Sequence, residues 1–253
     1  MTHRTFPRGL AIQGDVTDPT VVAQVQALTG LVPLIVADPP YGNVVSEVWD
    51  QVNVSDRQFA EWMLTWTIMW AELLAPGGAF YVWGGIGRPG FRPFFRYAAD
   101  VEEATGLMIG NLITWSKKRG YGVQHNYLFT REECLYLVKG DPKKPRTFHV
   151  PHLEQKRGYE GYDKAHPALS EYFRRTNVWS ETEILRGKLH ATQKADRVSE
   201  IPVEVHTDPG EIVLDLFAGS GSTSAAAIKL GRCFVAIERG DEEFTVLCKR
   251  LGT

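Results

Sequence analysis

The sequence is short of cysteine and of long apolar runs, and both shortages narrow what the protein can be. Its three cysteines, Cys134, Cys233 and Cys248, are too widely spaced for a disulfide framework or a paired metal-ligand motif. No apolar run approaches the ~18–20 residues that a membrane span needs. The N-terminus also lacks the apolar core of a signal peptide. These absences predict a cytoplasmic protein with reduced thiols, no bound metal and no membrane partner.

The chain also has little net charge. A balance of −2, from 28 basic and 30 acidic residues, does not suit a protein that coats nucleic acid through general basicity. The basic residues are nevertheless unevenly placed, because residues 117–146 contain eight of them against three acidic ones. Such a run can be a solvated face or a local surface for a polyanion, and the sequence alone leaves both interpretations open.

The pattern of hydrophobic residues predicts an α/β fold. At 253 residues with 43% hydrophobic side chains, the chain is large enough for one domain, which we place at residues 1–253. Apolar runs with few polar interruptions are typical of strands buried on both faces of a mostly parallel sheet. We assign such strands to residues 31–37, 79–83, 108–115, 134–138, 212–217 and 233–237.

Helical patterns lie between several of these strands. They cover residues 56–74, 222–230 and 241–251. Strands that alternate with helices predict a doubly wound, mostly parallel sheet. Trp62, Trp66 and Trp70 recur every four residues on the first helix, and we interpret them as packing or a subunit contact rather than as part of a site.

Residues 140–188 differ from the rest of the chain. They are rich in proline, basic and aromatic residues and show no long buried-strand pattern. Long loops in compact domains are usually functional or disordered, and the aromatic content argues against disorder. We therefore predict an insertion at the edge of the sheet that carries the functional site.

One glycine-rich motif follows a predicted strand and opens a helix. It reads Asp215-Leu216-Phe217-Ala218-Gly219-Ser220-Gly221-Ser222-Thr223, and the next predicted strand ends at Glu238. Such a turn lets the backbone approach a ligand, and the second acid can accept hydrogen bonds from ribose hydroxyls. Asp215 suits the ammonium of a methionine moiety and would repel a pyrophosphate. A methyl-donor site is the favoured interpretation; a dinucleotide site and a purely structural turn are the alternatives.

A second motif, Asp38-Pro39-Pro40-Tyr41, comes directly after the strand at residues 31–37. The prolines fix the backbone and remove two N–H donors. The Asp38 carboxylate and the Pro39 carbonyl can accept the two hydrogens of an aromatic amine, whose nitrogen then becomes free to attack a methyl group. Tyr41 can stack on a base that has been flipped out of a duplex. A proline turn after a strand can also be merely structural.

The two motifs together resemble the amino-methyltransferases of DNA. Their order, catalytic motif first and cofactor motif last, resembles the circularly permuted beta class of that family. Gly14-Asp15 and His190-Ala191-Thr192-Gln193-Lys194 are similar to further motifs of the class. The resemblance implies a Rossmann-like S-adenosylmethionine methyltransferase fold.

The resemblance also implies a role for individual residues. The catalytic set is Asp38, Pro39, Pro40 and Tyr41. Within the cofactor set, Asp15 is expected at the adenine and Glu238 at the ribose. The full cofactor set is Asp15, Asp38, Thr192, Gln193, Lys194, Asp215, Phe217, Ala218, Gly219, Gly221, Ser222, Thr223 and Glu238.

The expected macromolecular partner is double-stranded DNA. Phosphate contacts position such an enzyme, while groove contacts specify sequence. Since the chain shows no separate recognition domain, residues 140–188 are the expected target-recognition element. A homodimer and an accompanying restriction endonuclease are open alternatives for further partners. The residues expected to contact phosphates are Lys117, Lys118, Arg119, Lys143, Lys144 and Arg146.

The resemblance narrows the chemistry to adenine N6 as the methyl acceptor. An aspartate at the head of the catalytic motif resembles the adenine enzymes, whereas a serine is more typical of enzymes acting on cytosine N4. A C5-cytosine enzyme needs a thiolate nucleophile near a proline, and none of the three cysteines lies near one. The alternatives are an N4-cytosine enzyme, a catalytically silent DNA-binding or scaffold subunit of the same fold, a dinucleotide oxidoreductase, and an RNA substrate.

Overall fold

The computed structural model describes residues 2–42, 53–85, 87, 90–122, 124–156, 171–180 and 194–252. Its strands are β1 (Thr2–Phe6), β2 (Gly9–Gln13), β3 (Val32–Ala37), β4 (Leu74–Gly84), β5 (Met108–Tyr121), β6 (Phe129–Val138), β7 (His152–Lys156), β8 (Tyr172–Arg174), β9 (Val178–Trp179), β10 (Ile212–Asp215) and β11 (Cys233–Glu238). Its helices are α1 (Pro19–Thr29), α2 (Asp56–Ala71), α3 (Pro93–Thr105), α4 (Asp196–His206), α5 (Ser222–Lys229) and α6 (Asp241–Leu251).

The main sheet has the order β1-β2-β11-β10-β3-β4-β6-β5-β9. Its five central strands, from β2 to β4 in this order, are mutually parallel, which confirms the predicted mostly parallel sheet. The same apolar pattern predicted the strands β5 and β6, but these two form an antiparallel hairpin. Their connection at residues 122–128 is too short for a crossover, which takes a dozen or more residues.

Helices cover both faces of the sheet. The side chains of β3 alternate, so that Ile35 and Ala37 pack with α1, α2 and α3, while Leu34 and Val36 pack with α4, α5 and α6. This two-faced burial explains why the β3 segment is apolar at every position. None of the helices within the described ranges is long and apolar enough to cross a membrane.

The structure corrects the predicted end of the first helix. The helix begins with a capping box formed by Ser55 and Gln58, but it stops at Ala71 rather than at residue 74. Leu74 already pairs with Val32 in the sheet, and the register shifts before the next pair, Leu34 with Ala79. The Pro-Gly-Gly segment predicted as a stop is therefore an irregularity within β4.

Outside residues 140–188, five elements escaped the sequence pattern. The strand β1 is exposed at four of its five positions, so it carries no buried run. Its partner β2 is short. The helices α1 and α3 begin with prolines, and α4 contains Pro202, which reads as a helix breaker. These elements depend on tertiary packing more than on their own pattern.

The predicted insertion at residues 140–188 is only partly within the described ranges. Its described part contains β7 and β8, which form a separate two-stranded sheet, and β9, which adds to the main sheet beside β5. Trp179 of β9 pairs with Trp115 and packs its ring against Trp83 at 6.0 Å between centroids. Val178 and Trp179 thus lie at the antiparallel side of the sheet.

Candidate functional site

Four neighbouring parallel strands end at one edge of the sheet, and an acidic residue lies at each end. Asp15 follows β2, Glu238 closes β11, Asp215 closes β10 and Asp38 follows β3. Chain connections lead away in opposite directions from β10 and β3, which lie side by side. The carboxyl edge at such a switch point is where open α/β sheets bind ligands. The topology therefore brings together acids that are up to 223 positions apart in the sequence.

These acids line a single cleft of about 1230 Å³, including the space at its open mouth. Most of the predicted cofactor residues lie in its wall. The predicted residues that line the cleft are Asp15, Asp38, Lys194, Asp215, Phe217, Ala218, Gly219, Ser222, Thr223 and Glu238. Thr192 and Gln193 lie outside the described residues.

Gly221, also predicted to bind the cofactor, is placed differently. Its φ is +79°, a left-handed conformation at the start of α5 that favours glycine. A Cβ atom there would come within 2.6 Å of the Leu247 side chain, on the side of α6. Gly221 is absent from the lining of the cleft, so its part in the turn is conformational.

Gly219 ties the turn to the neighbouring strand. It has a φ of +50°, and its N–H donates a hydrogen bond of 2.7 Å to Glu238 Oε2. The N–H of Gly240 donates to the other carboxylate oxygen at 2.8 Å. Burial raises the pKa of Glu238 despite these two donors. The carboxylate is thus held in one orientation at the end of β11, facing the cleft.

Asp215 is the most strongly perturbed acid in the cleft. Burial raises its pKa to about 7, and a 3.3 Å hydrogen bond from the Ser224 hydroxyl only partly opposes this effect. No lysine or arginine of the described residues forms an ion pair with it. A buried carboxylate in this state gains most from a ligand that brings a positive charge.

Asp15 is already well supplied with donors. The N–H and hydroxyl of Thr17 donate to Oδ1 at 2.8 and 2.6 Å, and Arg239 approaches Oδ2 at 3.3 Å. Burial alone would raise the pKa of Asp15, but these partners outweigh it and the pKa is lowered. Asp15 therefore stays ionised at the far end of the cleft.

At the opposite end of the cleft, the predicted catalytic acid belongs to a tight polar cluster. Lys194 Nζ donates to Asp38 Oδ1 at 2.7 Å, to the Tyr41 hydroxyl at 3.1 Å and to Glu132 Oε2 at 3.1 Å. Tyr41 Oη lies 3.0 Å from Asp38 Oδ1. Lys194 was expected at the cofactor; it lines the cleft, and its ammonium contacts the catalytic motif.

Glu132 was not predicted. It lies near the start of β6, and since β6 runs antiparallel to β4, that start meets the carboxyl edge of the parallel strands. Burial would raise the pKa of Glu132, but Lys194 and Lys117 lower it to about 2. No signal in the sequence could have found Glu132, because only strand pairing shows which end of β6 reaches the site.

Trp62 is a correction to the interpretation of the first helix. Trp66 and Trp70 are fully buried as predicted, but Trp62 lines the cleft. Its ring lies edge-on to Phe217 at 6.0 Å between centroids. The spacing of four residues predicted that all three tryptophans lie on one side of the helix. It could not show that the first of them reaches the cleft.

The predicted phosphate contacts fall into two groups. Lys117 forms an ion pair with Glu132, and its ammonium lies 4.9 Å from the centre of the Trp115 ring, so it belongs to the polar cluster. Lys118, which is exposed, and Arg119 follow it in β5 towards the hairpin tip. Both positions lie at the carboxyl edge that holds Asp38.

The structure separates the other three predicted phosphate contacts from the cleft. Lys143 and Lys144 lie in a turn after β6, and the Arg146 N–H donates to the carbonyl of Gly77. Gly77 is about 20 Å along β4 from Gly84, which lies at the site edge. Between Lys117 and these three residues, the chain runs the whole length of β6 from one edge of the sheet to the other. The basic residues of 117–146 therefore do not form one surface.

Comparison with known proteins identifies the family. A family model described as DNA methylase, of the N6/N4 type, matches residues 32–249. The chain is 29% identical over 233 residues to the Type II methyltransferase M.BamHI of Bacillus amyloliquefaciens, covering 83% of this chain and 50% of that one. The chain thus spans about half the length of that relative.

Solved structures agree with this match. A crystal structure of an M1.HpyAVI–SAM complex has a TM-score of 0.67 at 26% identity and covers 96% of this chain and 98% of that one. The cytosine-N4-specific PvuII DNA methyltransferase has a TM-score of 0.71 at 15% identity over 97% and 87% of the two chains, a likeness of fold. The predicted family and fold class are confirmed: the chain belongs to the N6/N4 DNA methylase family.

Proposed function

We propose that the protein transfers a methyl group from S-adenosylmethionine to N6 of adenine in double-stranded DNA. One observation carries the proposal. The Asp38 carboxylate and the Asp215 carboxylate stand at the ends of adjacent strands in one cleft, beside the glycine turn of Gly219. An acceptor for an amine and an acceptor for a ligand cation are thereby within reach of one another.

The cleft fits S-adenosylmethionine by its chemistry. Asp215 is a buried acid with a raised pKa, and a cationic amino group would supply its missing counter-charge. Glu238 presents a fixed carboxylate for ribose hydroxyls, and Asp15 does so for an exocyclic amine. Trp62 and Phe217 supply apolar wall between them. When bound, the cofactor supplies a methyl group carried on a positively charged sulfur.

The catalytic motif would act on the acceptor base. Asp38 and the Pro39 carbonyl accept hydrogen bonds from the two amino hydrogens, which localises the lone pair on nitrogen. That lone pair would form the new N–C bond as the methyl–sulfur bond breaks and leaves its electron pair on sulfur. The Asp38 carboxylate would receive the proton that the nitrogen must then lose. Tyr41 offers its ring face to the flipped base. Its pKa is well above the usual range because of burial and the nearby Asp38 and Glu132, so its hydroxyl keeps its proton.

The choice of adenine rests on Asp38 at the head of the motif. The family includes enzymes for both adenine N6 and cytosine N4, and the fold is shared with a cytosine-N4-specific enzyme. Both bases present an exocyclic amine to the same two acceptors. N4-methylcytosine is therefore the alternative product that an experiment must distinguish.

DNA would lie across the carboxyl edge of the sheet. Lys118 and Arg119 are the retained candidates for phosphate contacts, because β5 carries them past Lys117 at this edge. Residues 140–188 stay our candidate for target recognition. M.BamHI is a Type II methyltransferase, which supports DNA methylation as the activity. A cognate restriction endonuclease stays a candidate partner. A second subunit is a further candidate partner.

The product of a labelled reaction tests the proposal. Purified protein is incubated with methyl-labelled S-adenosylmethionine and mixed-sequence duplex DNA, and the DNA is digested to nucleosides. We expect the label in N6-methyladenine. Label in N4-methylcytosine would keep the mechanism and overturn the base. No transfer to DNA, with cofactor binding confirmed separately, would overturn the proposed activity and favour an RNA substrate or a silent subunit.

A further inference from the structure

Glu132 occupies a position that the proposed reaction does not require. It comes from β6, outside the four parallel strands whose ends carry the acids of the cleft. Its side chain is 16% exposed and lies between two lysines. Lys117 pairs with one carboxylate oxygen, and Lys194 Nζ lies 3.1 Å from the other.

The hydrogen bonds of Lys194 are fully accounted for. An ammonium has three N–H donors, and the three acceptors around Nζ are Asp38, Tyr41 and Glu132. The Lys194 side chain is 7% exposed, and its ammonium lies 4.6 Å from the centre of the Trp83 ring. Burial alone would lower its pKa, but Asp38 and Glu132 raise it, so Lys194 stays charged.

The charges of this cluster balance. Two carboxylates, on Asp38 and Glu132, face two ammonium groups, on Lys194 and Lys117. Without Glu132, two buried or half-buried cations would face one carboxylate. Asp38 would then be the one carboxylate bound to Lys194, and a carboxylate that does not share its ammonium partner is a weaker acceptor for another donor.

Glu132 is poorly suited to take a proton itself. Tyr41 Oη bridges Asp38 and Glu132 at 3.0 and 3.1 Å, which would allow a relay by distance. However, the pKa of Glu132 is lowered to about 2, against the effect of burial, by Lys194 and Lys117. Glu132 therefore stays ionised throughout the neutral range, and its influence on the reaction is electrostatic.

We propose that Glu132 is a positioning residue for methyl transfer, which divides the Lys194 ammonium between two carboxylates and so leaves Asp38 able to accept the target amine. The inference rests on the proposed function of the same cleft. It assigns Lys117 as well, because this lysine balances Glu132 from the side of β5. The Lys117 ammonium is then part of the site rather than a phosphate contact.

Replacing Glu132 by glutamine tests the proposal. E132Q keeps the shape of the side chain and removes its charge. We expect kcat to fall by about tenfold or more, while KM for DNA and Kd for S-adenosylmethionine change by less than about threefold. A drop in kcat alone is expected because Glu132 acts on Asp38 after both ligands are bound.

The neighbouring glutamate provides a matched control. Glu133 is also buried on β6, but it points to the opposite face, where it contacts Thr114 and Arg131. E133Q removes the same charge from the same strand without touching the cluster. We expect kcat of E133Q to stay within about threefold of the wild type. An equal fall of kcat in both variants would overturn the proposal, because it would show that losing a charge anywhere on β6 lowers kcat.

A double-mutant cycle with K194M shows whether Glu132 acts through Lys194. If it does, E132Q changes kcat by less than about threefold in the K194M background, although the same substitution lowers kcat by about tenfold or more in the wild type. Effects that multiply independently would overturn the proposal. A wild type that binds S-adenosylmethionine but methylates no DNA would instead overturn the proposed function. In that event the wild type, E132Q, K194M and the double variant still test the contact through their midpoints of unfolding in urea. If the two substitutions shift the midpoint additively, Glu132 is not coupled to Lys194.

Discussion

At the end of β10, the Asp215 carboxylate is buried with no cation from the described residues, whereas at the end of β3 the Asp38 carboxylate already holds an ammonium. Burial raises the pKa of Asp215 to about 7. In the cluster around Asp38, two lysines overcome the effect of burial and lower the pKa of Glu132 to about 2. The neighbouring strands β10 and β3 thus end in one acid without a cation among the described residues and one acid that is paired with an ammonium.

This contrast fits the ligands that we propose for the two ends. The Asp215 end is short of positive charge, so it favours a cationic ligand. The Asp38 end is balanced by its own lysines, so it can receive an uncharged aromatic amine without an uncompensated buried charge. On this proposal, charge balance separates a cofactor end from a substrate end within a single cleft.

The largest expected effect comes from removing Asp38. D38A should lower kcat by on the order of 10³-fold, since it removes both the acceptor for the amine and the proton acceptor. Kd for S-adenosylmethionine, measured by calorimetry, should stay within about twofold of the wild type, because Asp38 is not the proposed partner of the cofactor's ammonium. A comparable loss of cofactor affinity in D38A and D215A would remove the distinction between the two ends.

A smaller effect is expected from the pH dependence of cofactor binding. The raised pKa of Asp215 means that its carboxylate ionises only as pH rises through about 7. The ammonium of the cofactor needs the ionised form, so Kd should fall by about eightfold between pH 6 and 7.5. D215N should bind more weakly and lose this dependence, as measured by calorimetry at several pH values. Tighter binding at pH 6 than at pH 7.5 would contradict the assignment.

A change of several-fold is expected from Glu238. E238Q can accept only one of the two backbone N–H groups that Gly219 and Gly240 donate, so Kd for the cofactor should rise by about three- to tenfold. Glu242 lies on the exposed side of α6 and supplies the control E242Q, which should leave Kd unchanged. If kcat falls while Kd is unaffected, Glu238 does not belong to the cofactor end.

The smallest expected effect compares the two edges of the sheet. K118Q should raise KM for DNA by about two- to threefold at moderate salt and reduce its salt dependence, because this position lies at the carboxyl edge. K144Q makes the same change at the opposite edge and should have no effect. A larger change of KM in K144Q would show that DNA extends over the other edge of the sheet.

The sequence predicted the cofactor end of the site better than the catalytic cluster. Asp215, the glycine turn and Glu238 follow one another within a single strand–helix–strand unit, so their relative placement is local. Asp38 and Tyr41 were likewise found within one turn. Glu132 and Lys117 belong to an antiparallel hairpin, and the pairing that brings them to the site has no local signature.

The sequence by itself determined the parallel core and the two motifs, because buried strands require apolar side chains on both faces and tight turns require glycine or proline. It did not determine which basic residues share a surface, since the basic residues of 117–146 lie partly at the end of β5 and partly after β6, at opposite edges of the sheet. Only the tertiary structure decided that Lys194 reaches Asp38 and that Glu132 divides its ammonium. Strand order and direction fix such contacts, and both depend on packing between segments far apart in the chain.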